Sequence, residues 1–250
     1  MEATANATTT PPLKPVVLYP TPGMGHLFAM VELNRTLAAW GLTVTVIIVD
    51  PPYDPGAPGR FLLVVSAANP SISFHRLPPV DLPPVASKHY EALIMEAVRI
   101  SNPHLRVILT AVVPAPSVLV VDMFSGVVLD ECSIPSYFFF TFGAPCLAFF
   151  LHLPILHART TASFRYMGEE LVSVPGVLPF PVMHAIHTTM ERGDVAYDGF
   201  LAASAALLCC RGVIVNTFRS LEPRTIDAII TSHCTQLPGE PTRRSTASGC

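Results

Sequence analysis

The chain has 250 residues, half of them hydrophobic and 13% charged, with a mean hydropathy of +0.48 and a formal charge of −3. So apolar a composition needs a large core, yet no uninterrupted apolar run is long enough to span a bilayer, and the scattered bases of a net acidic chain exclude nucleic acid as a partner. Six cysteines without paired C-x-x-C spacing leave no metal site to expect.

Residues 1–15 have no apolar core and carry an acid at Glu2, so they read as a disordered tail and not as a secretory signal. A cytoplasmic location follows as an expectation, with the sequons at Asn6 and Asn34 left unglycosylated. Val16–Tyr19 is a short apolar, β-branched run of the kind that forms a buried strand. Pro20, Pro22, Gly23 and Gly25 then break the strand and allow a tight turn. From His26 the period changes: Leu27, Met30, Val31, Leu33, Asn34 and Leu37 recur at helical spacing, and Gly41 is a natural C-terminal cap. His26 therefore stands where a strand hands over to a helix.

Strand and helix keep alternating. Leu42–Asp50 is a second strand, ended by Pro51 and Pro52, and Arg60–Ala68 is a short helix. Ile72–Leu77 is a third strand, followed by a proline-rich surface loop. The spacing predicts helices over His89–Ser101 and His104–Val113, separated at Pro103. Ser117–Asp122 is a strand, Ser125–Cys132 a short helix, Ser136–Thr141 a strand and Ala144–Ala158 a helix. Pro175–His187 reads as extended, Val195–Ala206 as helix, Gly212–Asn216 as strand and Pro223–Ser232 as a last helix. Cys209 and Cys210 read as small core residues. Apolar strands separated by helices predict an α/β fold with a Rossmann-like, doubly wound parallel sheet.

Such a sheet binds ligands beyond the carboxyl ends of its strands. Gly23 and Gly25 match the opening of G-x-G-x-x-G, and Asp50 ends the second strand where a ribose-binding acid would sit. This suggests an NAD(P)-dependent oxidoreductase, but Phe28 replaces the third glycine, and its bulk is expected to obstruct helix–strand packing. A second reading pairs His26 with Asp122, which also ends a strand. An acid beside an imidazole fixes its tautomer and stabilises the imidazolium, making a better general base. Two plainer roles remain open: His26 as an ordinary first-turn residue, and Asp122 as the cap of the next helix. Without G-x-S-x-G, a serine hydrolase has no nucleophile.

Five stretches, VVLYPTPGMGHL, VVDMF, SYFFFTFGA, VPGVLPFP and GVIVNTFRSLEP, together resemble the N-terminal half of the plant UDP-dependent glycosyltransferases of small molecules. The resemblance runs from about Lys14 to about Pro238 and keeps the family's motif order. It implies a GT-B fold, in which two Rossmann-like domains face each other across a cleft, the first holding the acceptor and the second the UDP-sugar. It further implies metal-independent, inverting transfer to a hydroxyl of a phenolic, flavonoid or terpenoid acceptor, with the UDP-sugar as co-substrate and no cofactor. His26 matches the family's base and Asp122 its acidic partner. Gly25 and Thr141 match donor-side positions, and Phe124 matches an acceptor-pocket wall, with plain core packing as its alternative. Met183, His184 and His187 fall in a variable acceptor-side region, where a solvated loop histidine is the plainer reading.

Three departures accompany the resemblance. The family's donor box, containing H-C-G-W-N-S, does not occur in these residues. The stretch between Leu129 and Ile134 is about one helical turn short. The tail PTRRSTASGC is unlike the family's continuation. Codons spelling the family-like PVYCIG read RSTASG one nucleotide along, which is Arg244–Gly249, so a frameshift is the expected origin of the tail. The expected organisation is a tail over 1–15, an acceptor domain over 16–239 and an aberrant end over 240–250, with the donor domain absent. Such a fragment is expected to be inactive alone and prone to self-association through uncovered apolar surface. A non-catalytic module binding a hydrophobic ligand or a protein is the alternative from a different class.

Overall fold

The computed structural model describes residues 15–69, 72–125 and 133–235. The expectations for both tails, for the helix beyond Ser125, for most of the stretch between Leu129 and Ile134 and for the Cys209 side chain lie outside what is described.

Six strands form one parallel sheet: β1 (Val16–Tyr19), β2 (Val44–Ile48), β3 (Ser73–Arg76), β4 (Val118–Asp122), β5 (Ser136–Phe140) and, after a small hairpin, β8 (Val213–Val215). Their order is β3-β2-β1-β4-β5-β8, so the chain winds outward from β1 in one direction and from β4 in the other. The switch between these directions, beyond the carboxyl ends of β1 and β4, is where a doubly wound sheet opens a crevice.

Both faces are covered, which is why the strands read as nearly unbroken apolar runs. Val16 and Leu18 point to one face with Val44, Val46, Ile48, Val120 and Phe139, against Leu27, Met30 and Val31 of α1 (Met24–Ala39) and Val65 of α2 (Ala57–Ala68). Val17 and Tyr19 point to the other with Ile47, Leu119, Val121, Phe138 and Phe140. That face is covered by α3 (Tyr90–Ala111), α4 (Ala144–Arg159) and α5 (Val195–Cys209). Each fully buried Phe or Leu in these layers contributes roughly 1.5–3 kcal/mol.

The end of α1 follows from its sequence. Gly41 has φ +79°, its N–H donates to Ala38 O, and Leu42 N–H donates to Leu37 O, so the last turn closes as a Schellman motif. At the start, Leu27 N–H donates to Gly23 O at 2.9 Å, and the helix begins at Met24. Gly25 thus lies inside the first helical turn and not in the turn before it. Phe28 also corrects its expectation. It is 48% exposed and packs edge-on against Phe61 at 4.4 Å, so it obstructs nothing between helix and sheet.

Two further expectations give way to tertiary packing. The helices placed on either side of Pro103 are one, α3, with Pro103 inside it and His89 as its N-cap. An interior proline costs about 3 kcal/mol, but Ile94, Ala97, Val98, Ser101, Asn102, Leu105 and Leu109 form one buried stripe across it. Burial along that stripe outweighs the lost hydrogen bond. The segment expected to be extended over Pro175–His187 folds into a hairpin of β6 (Leu171–Val172) and β7 (Phe180–Pro181), followed by single turns at Val182–His184 and His187–Thr189. The hairpin docks on α6 (Pro223–Ile230), where Thr225 Oγ1 donates to Gly176 O at 2.8 Å.

Candidate active site

The residue pairing of the sheet brings the site together. Tyr19 lies opposite Val121, so the chain leaving β1 and the chain ending β4 emerge side by side although their residues are about a hundred positions apart. His26, in the first turn of α1, reaches across this gap. Its Nδ1 is 2.8 Å from Oδ2 of Asp122, the last residue of β4. Asp122 is fully buried, and the imidazole keeps 18% of its surface exposed.

The second oxygen of Asp122 is also used. Met123 N–H donates to Oδ1 at 2.6 Å, at the start of a short helical turn over Met123–Ser125. The carboxylate thus holds the imidazole with one oxygen and the next backbone N–H with the other, while the helix that Asp122 was expected to cap lies beyond Ser125, outside the described residues. With both partners the buried carboxylate is hydrogen-bonded, as a buried charge must be. Because Nδ1–H donates to Asp122, the neutral ring carries its lone pair on Nε2, which has no hydrogen-bond partner among the described residues.

Burial works against a charge on His26, but the hydrogen bond and the charge of Asp122 together outweigh it, so its pKa lies above the ordinary 6.5. The pair therefore stabilises the fold fully below the ordinary imidazole value and loses that contribution as pH rises through the raised one. Asp122→Asn removes the charge and leaves the burial, so the His26 pKa should fall from above to below 6.5. Imidazole chemical shifts followed through a pH titration check this. An unchanged midpoint would mean that Asp122 does not set the ionisation of His26.

Thr141, just beyond β5, has Oγ1 3.4 Å from His26 Nδ1, a long second contact. Phe124 lies 6.4 Å from the imidazole, ring to ring, and also packs on Phe200 at 4.9 Å, joining site and core. Gly25 is exposed, with open space where a side chain would stand. His26, Asp122, Thr141 and Phe124 thus form one cluster, with Gly25 beside it in the same helical turn. Met183 and His184 do not join it: both are exposed on the turn after β7, with no hydrogen bond, ion pair or ring contact to the others. His187 meets His89 instead, at 5.0 Å.

Four residues were not anticipated. Phe142 is 48% exposed, and its ring meets His26 edge-on at 5.9 Å. Tyr53 brings its hydroxyl to 3.5 Å from where a Cβ on Gly23 would stand, while His26 Cδ2 is 3.3 Å from the same point. The glycine is thus held between the two rings. Asn216 and Glu222 contact the backbone beside Phe142. Phe142 was within reach of sequence reasoning, since it follows Thr141 directly. Asn216 and Glu222 fall within the stretch GVIVNTFRSLEP, which did not point to this contact, and no local signal marks Tyr53.

Asp50 is not free to hold a ribose, because Arg76 grips it with two bonds of 2.6 and 2.7 Å. Among the described residues, no three His, Cys, Asp or Glu side chains gather as a metal site, and no helix is long and apolar enough to cross a membrane.

No protein-family model matches the chain. Individual proteins do. The chain is 32% identical over 245 residues to an anthocyanidin 5,3-O-glucosyltransferase of a rose hybrid, covering 91% of this chain and 50% of that protein. It is 37% identical over 223 residues to UDP-glycosyltransferase 72B1 of Arabidopsis thaliana, covering 86% and 45%. Among solved structures, a UDP-glucosyltransferase from Polygonum tinctorium, capable of glucosylating indoxyl and complexed with 3,4-dichloroaniline, superposes with a TM-score of 0.80 at 30% identity. That match covers 93% of this chain and 51% of the other. The chain thus spans about half the length of the curated relatives it matches. These proteins are of one kind, no oxidoreductase is among them, and this chain belongs with them as a counterpart of the N-terminal half of the plant UDP-glycosyltransferases.

Proposed function

We propose that the chain is the acceptor-binding half of an inverting, GT-B-type UDP-glycosyltransferase that passes a hexose from a UDP-sugar to a hydroxyl of a small phenolic, flavonoid or terpenoid acceptor. The observation that carries this reading is the 2.8 Å contact of His26 Nδ1 with the buried Asp122, which leaves Nε2 unengaged at the carboxyl edge of the sheet. An acceptor hydroxyl beside Nε2 gives up its proton as its oxygen forms a bond to the anomeric carbon. UDP leaves from the opposite face with the electrons of the broken bond. Asp122 compensates the imidazolium that results. Because only the neutral ring accepts a proton, the acid limb of the rate profile is expected above the ordinary histidine pKa.

The surroundings favour an aromatic acceptor. Phe124 and Phe142 flank the imidazole, and Tyr53 stands across Gly23 from it. The names of relatives agree in class, since they specify anthocyanidin, phloretin and indoxyl. Thr141 and Gly25 are the positions assigned here to the donor side.

The groups that would grip uracil, ribose and diphosphate are assigned to the other half of the fold. These 250 residues alone are therefore expected to bind a flat aromatic alcohol such as naphthol, to bind no UDP and to transfer no sugar. Calorimetry with each compound checks this. Micromolar UDP binding by this chain would put the donor site in the wrong half and overturn the assignment.

A further inference from the structure

The stretch Thr141–Ala144 carries two of the groups set against His26, and it is held at both ends by the segment that follows β8. Asn216 Nδ2 donates to Thr141 O at 3.2 Å, and Asn216 N–H donates to Phe140 O at 3.1 Å. At the other end, Glu222 Oε2 accepts the Ala144 N–H at 2.8 Å, in the first turn of α4. The same oxygen accepts the Thr217 hydroxyl, which ties the carboxylate back to its own segment. The carboxylate also lies close against Gly143: a Cβ there would stand 2.8 Å from Glu222 Oε1 and 3.2 Å from Oε2, so a side chain at this position would displace the carboxylate. Between these anchors, Phe142 is left half-exposed, with its ring against both His26 and Phe140 at 5.9 Å.

A helix cap alone would need only the bond to Ala144. The second anchor at Thr141 and the close approach at Gly143 do something more, because they fix the path of the backbone on both sides of Phe142, and Thr141 and Phe142 are the two residues set against the imidazole. We propose that Asn216 and Glu222 are positioning residues of the His26 site, acting through the Thr141–Ala144 backbone to hold the Thr141 hydroxyl and the Phe142 ring against the imidazole. Neither touches His26. Their relevance to sugar transfer rests on the function proposed above, but the geometry they impose does not.

The test uses the 250-residue chain and needs no turnover. Nuclear Overhauser contacts between the Phe142 ring and the His26 ring protons are measured in the wild type, Glu222→Ala, Glu222→Gln and Asn216→Ala. Thermal melting is measured on each. The wild type gives the contact. Glu222→Ala should lose it, and Glu222→Gln should keep it, because an amide oxygen still accepts from Ala144 and Thr217. Asn216→Ala frees the other anchor and should weaken the contact with little change in melting, so the test survives if Glu222→Ala does not fold. A plain capping role predicts a lower melting temperature with the ring contact intact in both alanine variants. That outcome overturns the proposal. Naphthol binding by the wild type is followed separately: its failure would sink the transferase reading, while the ring contact still decides the positioning role.

Discussion

Joined to the UDP-binding half of a relative, the His26→Ala variant should transfer sugar to an aliphatic hydroxyl about 10²–10⁴-fold more slowly than the parent chimera. The size follows from what the imidazole does. An aliphatic hydroxyl hardly ionises at neutral pH, so its oxygen becomes a competent nucleophile only as its proton is taken. Nε2 is the lone pair placed to take it, because Nδ1 is committed to Asp122. The readout is kcat with a saturating UDP-sugar. Phenols are the poorer substrate for this test, since they lose a proton with less help. Asp122→Asn should reduce transfer as well, because the imidazolium then forms without a counter-charge. A His26→Ala chimera as fast as its parent on an aliphatic alcohol would remove His26 from the mechanism.

The largest stability effect is expected far from that site. Gly176 turns with φ +78° between β6 and β7, and a Cβ there would stand 2.7 Å from the Ala228 Cβ, 2.8 Å from the Thr225 Cα and 2.9 Å from the Arg224 carbonyl oxygen. Gly176→Ala therefore meets two penalties. The left-handed backbone costs an alanine about 1–2 kcal/mol, and forcing a methyl into helix backbone costs about 1–3 kcal/mol more. Together, about 2–5 kcal/mol is a drop of roughly 5–15 °C in Tm for a domain of this size. Gly168 is the internal control: its φ is +59°, but nothing lies within 4 Å of its Cβ position, so Gly168→Ala pays the backbone penalty alone. If the two variants melt alike, the hairpin does not dock on α6 as closely as described.

The elements most legible in the sequence were those whose local chemistry and tertiary burial agree. β1, the turn after it, α1 and the Gly41 cap could all be read, because the apolar period, the breaking residues and the capping glycine point the same way. Pro103 failed as a boundary for the opposite reason: a local rule was outweighed by a buried stripe that sequence shows only as spacing. Phe28 was misjudged because its position in a motif says nothing of which way the ring turns, and here it faces Phe61. The hairpin at Leu171–Pro181 was missed because two-residue strands have no period to detect.

At the site, His26 was found where the first strand hands over to a helix and Asp122 at the end of another strand, and the sheet order made them neighbours. Phe142 could have been inferred from Thr141 beside it, but Tyr53 depends on how a loop doubles back and Glu222 on a contact across 78 positions, so neither spacing nor residue type reveals those two. Similarity relates this chain to the N-terminal half of plant UDP-glycosyltransferases, but which side chains surround His26 is a matter of this chain's own geometry.

β1 and β4 are adjacent in the sheet, although β2, α2, β3 and α3 lie between them in sequence. Those intervening elements form an excursion that carries the sheet outward through β2 to β3 and returns beside its point of departure. Lengthening a loop within it, or exchanging one of its helices, therefore moves neither end of the His26–Asp122 contact. The excursion includes Tyr53 and Tyr90, whereas Phe124 and Phe142 stand outside it beside the pair. A loop change inside the excursion can therefore reshape the Tyr53 side of the crevice, while the register of β1 against β4 still sets His26 opposite Asp122.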